Sequence, residues 1–143
     1  MKRNNLGYWI ATGLLGAGFL MSGLMDLTHG GPIDQVMTHL GYPLHVATLL
    51  GIWKILGALA IVAPGVPRLK EWAYAGVAFD LSGAVWSHIA VGDGPSEWMA
   101  PVLLLAIAFT SWALRPADRK LTSTRATDVS VPATATPATL RAA

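Results

Sequence analysis

Two ionisable residues lie where this chain is otherwise most apolar. Lys54 sits in LHVATLLGIWKILGALAIV and Asp80 in WAYAGVAFDLSGAVWSHIAV. Each stretch is long enough to cross a bilayer as a helix. A charge at bilayer depth costs about 2.5 kcal/mol or more. An ammonium and a carboxylate at matching depth therefore point to a pair. Such a pair has two readings. It can fix the register and rotation of two helices, or it can act as a protonatable switch or an anchor for a polar ligand. Either way, removing one partner should do more harm than removing both, because it strands the other charge.

A second set of polar residues falls toward the opposite ends of the apolar stretches. Asp26 closes the first, His45 opens the second, His88 lies near the end of the third, and Glu97 opens the fourth. His29, His39 and Asp93 are in the adjoining loops. Imidazole and carboxylate groups can bind a divalent metal, relay protons, or hydrogen-bond a quinone carbonyl. Ordinary polarity at helix ends would produce the same residues. No HxxxH or ExxH pair is present, so no metal site is expected. His88 is the strongest single candidate of this set, since it lies inside its stretch. Phosphate-binding glycine loops and serine-hydrolase elbows are absent, and no residue stands out as catalytic.

The elements that must position these residues follow from composition. The chain has 143 residues, 53% of them hydrophobic and 13% charged. Soluble domains carry about 25% charged residues, so a membrane protein is indicated. There is no cysteine, which removes thiolate, disulfide-relay and iron–sulfur chemistry. The basic residues form no aromatic-interleaved face, which argues against nucleic acid as a partner. Four spans are expected, at 6–27, 44–63, 72–91 and 97–114, each near the 20 residues that a crossing helix needs. Lys2 and Arg3 precede the first span, Arg68 and Lys70 separate the second and third, and Arg115, Arg119, Lys120, Arg125 and Arg141 follow the fourth. The other two loops carry Asp34 and Asp93 and no Lys or Arg. The positive-inside rule then places both termini in the cytoplasm.

Small residues recur along the spans. Gly13 with Ala17, and Gly18 with Ser22, have the spacing that lets helices approach closely in lipid. Ala47, Gly51, Ala58 and Ile61 share the face of Lys54; Ala73, Gly76, Gly83, Ala84 and Ser87 share that of Asp80. Both charges should therefore face neighbouring helices. Trp53, beside Lys54, reads either as packing or as a stacking surface for a ligand. Between the first two spans, IDQVMTHL has an apolar face of Ile33, Val36, Met37 and Leu40 and should form a short helix lying on the membrane. Residues 1–116 form the membrane domain, and 117–143, rich in Ala, Thr and Pro, should be a disordered tail.

These residues resemble the DoxX-like family of small four-span bacterial membrane proteins. The resemblance is carried by GIWKILGALAIVAP, RLKEWAYAGVAFDLSGAVWSHIAVGD and PVLLLAIAFTSWALRP. It implies an all-α, polytopic bundle of four transmembrane helices in the bacterial inner membrane. It also implies a quinone- or redox-linked accessory role beside a membrane oxidoreductase, with no intrinsic activity of its own. Quinone enters through the resemblance alone. A small proton-coupled transporter working as a homo-oligomer and a non-catalytic scaffold are the alternatives that the residues themselves leave open.

Overall fold

Apolar runs punctuated by Gly and Pro become helices that stop at those residues. In the structure, a computed structural model, residues 2–121 are described, residues 2–5 by their backbone alone. The helices are α1 (Lys2–Thr28), α2 (Ile33–Leu40), α3 (Leu44–Val62), α4 (Pro67–Ala90) and α5 (Pro95–Ala113). A 3-10 turn follows at Ala117–Arg119. No strand occurs among the described residues. Proline opens α4 and α5, where its missing N–H leaves no bond unmade. Gly41 closes α2 at φ 78, a left-handed conformation that glycine adopts without strain. The tail expected beyond residue 121 lies outside the described residues.

The four long helices form a ring. α1 packs against α3 and α5, and α4 packs against the same two. Gly16 faces Val62 while Gly23 faces Gly51, so α1 and α3 run antiparallel. Leu15, Phe19, Ala58, Ile61, Tyr74, Val77, Leu81 and Ala108 fill the centre. The outside is apolar as well: Trp72 is 79% exposed and Phe79 77%. An apolar exterior of this extent suits lipid rather than water. α1, α3 and α5 are long and apolar enough to cross a membrane. α4 has the length but falls short in hydropathy, because it carries Arg68, Lys70, Glu71, Asp80 and His88.

The small-residue stripes behave differently from one another. On α3 the buried residues include Ala47, Gly51, Ala58 and Ile61, the face of Lys54. On α4 the buried residues are Lys70, Tyr74, Val77 and Leu81, whereas Gly76 and Gly83 stay open. In the stripe around Asp80, Ala73 packs on the core while the two glycines draw no helix close. Nor do the spaced pairs in α1 supply the closest approach, since a Cβ on Gly13 would meet nothing within 4 Å.

The basic end of the bundle is tied together by its own cations. Lys70 is buried and donates to the carbonyls of Ala60 and Ile61, capping the C-terminus of α3. Arg115 donates to Glu71 at 2.8 Å, and its guanidinium lies 5.1 Å from the centre of the Tyr74 ring. Arg119 stacks 4.6 Å over Trp9 and donates to Tyr8 Oη and to the Val62 carbonyl. Deeper in, Ser111 Oγ hydrogen-bonds both Thr12 Oγ1 and Tyr74 Oη at 2.7 Å.

Candidate functional site

The polar centre begins with a backbone contact. A Cβ placed on Gly23 of α1 would lie 2.9 Å from the Gly51 carbonyl oxygen of α3, and one on Gly51 would lie 2.7 Å from that of Gly23. Only glycine permits this approach. Three residues beyond each glycine, on the same side of its helix, come Asp26 and Lys54. The close crossing therefore brings them together. Lys54 Nζ donates to Asp26 Oδ2 at 2.8 Å and to Ser22 Oγ at 3.1 Å. Asp80 of α4 approaches from the other side, with its Oδ2 3.9 Å from Nζ. That is ion-pair range but too long for a hydrogen bond.

Lys54 and Asp80 are thus near one another, but the nearer partner of Lys54 is Asp26. Asp26 is almost fully buried, at 3% side-chain exposure, while Lys54 and Asp80 each retain 17%. The spacing of glycine and charge, Gly-x-x-Asp in α1 and Gly-x-x-Lys in α3, is the signal in the sequence from which this partner could have been found.

Asp80 and Lys54 line a groove of about 500 Å³ between α3 and α4. Phe19 and Val77 from the core also line it, and Leu50, Trp53, Leu56 and Trp72 form its apolar walls. Gly57 and Gly76 line it too, and neither has anything within 4 Å of a notional Cβ. Here small residues leave space instead of drawing helices together. Trp53 and Phe79 stand exposed at this face, so the groove opens toward the side that lipid would occupy.

Asp26, His45, His88 and Glu97 are not joined by any hydrogen bond or ion pair to one another among the described residues. His88 donates from Nδ1 to Asp93 Oδ2 at 2.6 Å, and His39 from Nε2 to Asp93 Oδ1 at 2.7 Å. These two bonds, His88 first, hold the Asp93 carboxyl below its ordinary value near 3.8. Glu97 lines the same shallow outer depression as His39, His88 and Asp93, and its side chain meets Ser96 Oγ at 3.2 Å. His45 is exposed. His29 bonds Asp34 at 3.1 Å and Thr48 at 3.0 Å. Together these contacts strap α2 across the end of the bundle. No group of three or more His, Asp or Glu among the described residues is arranged to hold a metal.

Residues 10–111 match the family model described as the DoxX-like family. The chain belongs to the DoxX-like family. The matched region contains Asp26, Lys54 and Asp80 together with the groove that Lys54 and Asp80 line. Comparison with curated proteins and with solved structures finds no further match. For this DoxX-like protein the chemistry on offer is therefore what its own side chains provide. It is one ammonium held between two carboxylates, with one of those carboxylates facing an apolar groove.

Proposed function

We propose that this DoxX-like protein is a four-span bundle of the bacterial inner membrane, both termini cytoplasmic, that binds a lipid-soluble ligand at a protonatable centre. In this reading it acts as a small proton-coupled carrier, with no covalent chemistry. One observation carries the reading: Lys54 and Asp80 line a groove open to the bilayer side, and Asp26 holds Lys54 from behind. Intramembrane ionisable groups that face a cavity mark substrate and proton pathways. α4 counts as the fourth span because it packs between α3 and α5 along the same ring. The basic residues Lys70, Arg115 and Arg119 gather at one end of the bundle, which supports placing that end in the cytoplasm. Four helices enclose little of a pathway, so the carrier works as a homo-oligomer. The test is reconstitution in liposomes with an internal pH dye. A proton-linked flux lost in Asp80→Asn supports the carrier; vesicles that stay tight at every pH remove it.

A second reading is favoured by the shape of the same groove. An apolar slot ending at an ammonium suits a quinone whose carbonyl accepts from Lys54. The protein would then be a quinone- or redox-associated accessory subunit of a membrane oxidoreductase. Quinone bound by the purified protein and lost in Lys54→Met would favour this reading over the carrier.

A further inference from the structure

The charges around the groove do not balance. Among the ionisable residues of the membrane-embedded ring, Asp26 comes from α1, Lys54 from α3 and Asp80 from α4. α5 adds only Glu97, in its first turn. Two carboxylates thus share one ammonium. With all three ionised the site carries one excess negative charge at bilayer depth, which is costly. Asp26 is hydrogen-bonded to Lys54 and deeply buried, so its charge is matched. Asp80 has no hydrogen-bond partner among the described residues and lines the groove.

From this we infer that the groove between α3 and α4 selects a lipophilic monocation, which it takes up in exchange for one proton from Asp80. This deepens the carrier reading and rests on it. In the empty protein, Asp80 is the neutral acid and the Lys54–Asp26 pair is self-contained, so the centre has no net charge. When the ligand enters from the bilayer, Asp80 gives its proton to water and its carboxylate faces the cation. One positive charge leaves and one arrives, and the centre is again balanced. No bond other than the O–H bond of the acid is broken. The apolar walls take the body of the ligand, and the Trp53 and Trp72 rings offer faces that attract a cation. A neutral ligand would leave the proton where it is, and an anion would meet the carboxyl that lines the groove, with its nearest ammonium already paired.

The experiment uses the full chain in lipid nanodiscs and two probes of matched shape and opposite charge, tetraphenylphosphonium and tetraphenylborate, with a neutral benzoquinone as the third. Tryptophan fluorescence reports binding and a pH indicator reports protons released. Tetraphenylphosphonium should bind about tenfold more weakly for each unit that pH falls within the range where the empty site is protonated. About one proton should appear per cation bound. Asp80→Asn should lose both the binding and the proton release. Gly76→Leu fills the groove where a side chain meets nothing, and should lose binding with the three charges intact. Equal binding of tetraphenylborate, binding that ignores pH, or unchanged binding in both variants would overturn the inference. Quinone binding with no response to either ion would also overturn it and leave the accessory-subunit reading standing. Proton-linked flux in liposomes without cation binding would keep the carrier and reject the ligand class.

Discussion

Glycine does opposite things at the two edges of α3. Against α1, Gly51 meets Gly23 backbone to backbone, at distances that no Cβ could share. Against α4, Gly57 and Gly76 face open space. The residue type is the same, and what differs is what lies opposite. Where two glycines coincide, the backbones close up and van der Waals contact replaces lipid. Where a glycine faces a gap held apart by bulkier neighbours, its missing side chain becomes volume for something else. The tight edge holds the Asp26–Lys54 pair, and the loose edge exposes Asp80.

The comparison can be broken first at the tight edge. Replacing Asp26 with Leu removes the carboxylate that Lys54 hydrogen-bonds and leaves it only Asp80 at 3.9 Å, so about 1.5–3 kcal/mol of stability should be lost. Changing Lys54 to Met as well should recover much of that loss, read as the midpoint of unfolding in detergent. A double variant as unstable as Asp26→Leu alone would show that no pair exists. Gly23→Ala attacks the same edge through its backbone. The added methyl collides with the Gly51 carbonyl, so about 1–3 kcal/mol should be lost. A crosslink between cysteines placed at Leu27 and Thr48, near the crossing, should form less readily in that variant.

The loose edge should respond the other way. Gly57→Ala adds a methyl where nothing is near, removes a flexible residue from a helix, and should leave stability unchanged or raise it by roughly 0.5–1 kcal/mol. Thermal unfolding of Gly57→Ala beside Gly23→Ala would show opposite signs if the two edges differ as described. The smallest effect lies at the outer end. Asp93 is held below its ordinary value by His88 and His39, so it binds its proton less readily folded than unfolded. Its contribution is complete above about pH 3.8 and is lost as pH falls through the lowered value. Hydrogen exchange of α2 amides should therefore quicken in strong acid, and Asp93→Asn should remove that step.

Much of this protein is legible without coordinates. The apolar runs mark the helices, Gly41 and Pro67 mark ends, and the scarcity of charge makes Lys54 and Asp80 conspicuous. The amphipathic pattern of IDQVMTHL places α2, whose Met37 is buried. The small-residue face of Lys54 was readable too, because a helix repeats its faces every 3.6 residues. On the face of Asp80 the same rule found a side that meets α3 through Lys54 but not that Gly76 and Gly83 stay open, because periodicity says which residues share a side and not how closely the next helix stands.

Within each helix, then, the order of residues fixes length, ends and faces, since these depend on neighbours along the chain. Partners are a different matter. That Asp26 serves Lys54 instead of joining His88 and Glu97 depends on where α1 crosses α3. That Asp80 is left facing a cavity depends on how closely α4 can approach. Both are settled by the fit of whole surfaces, a property of helices assembled and of no single one.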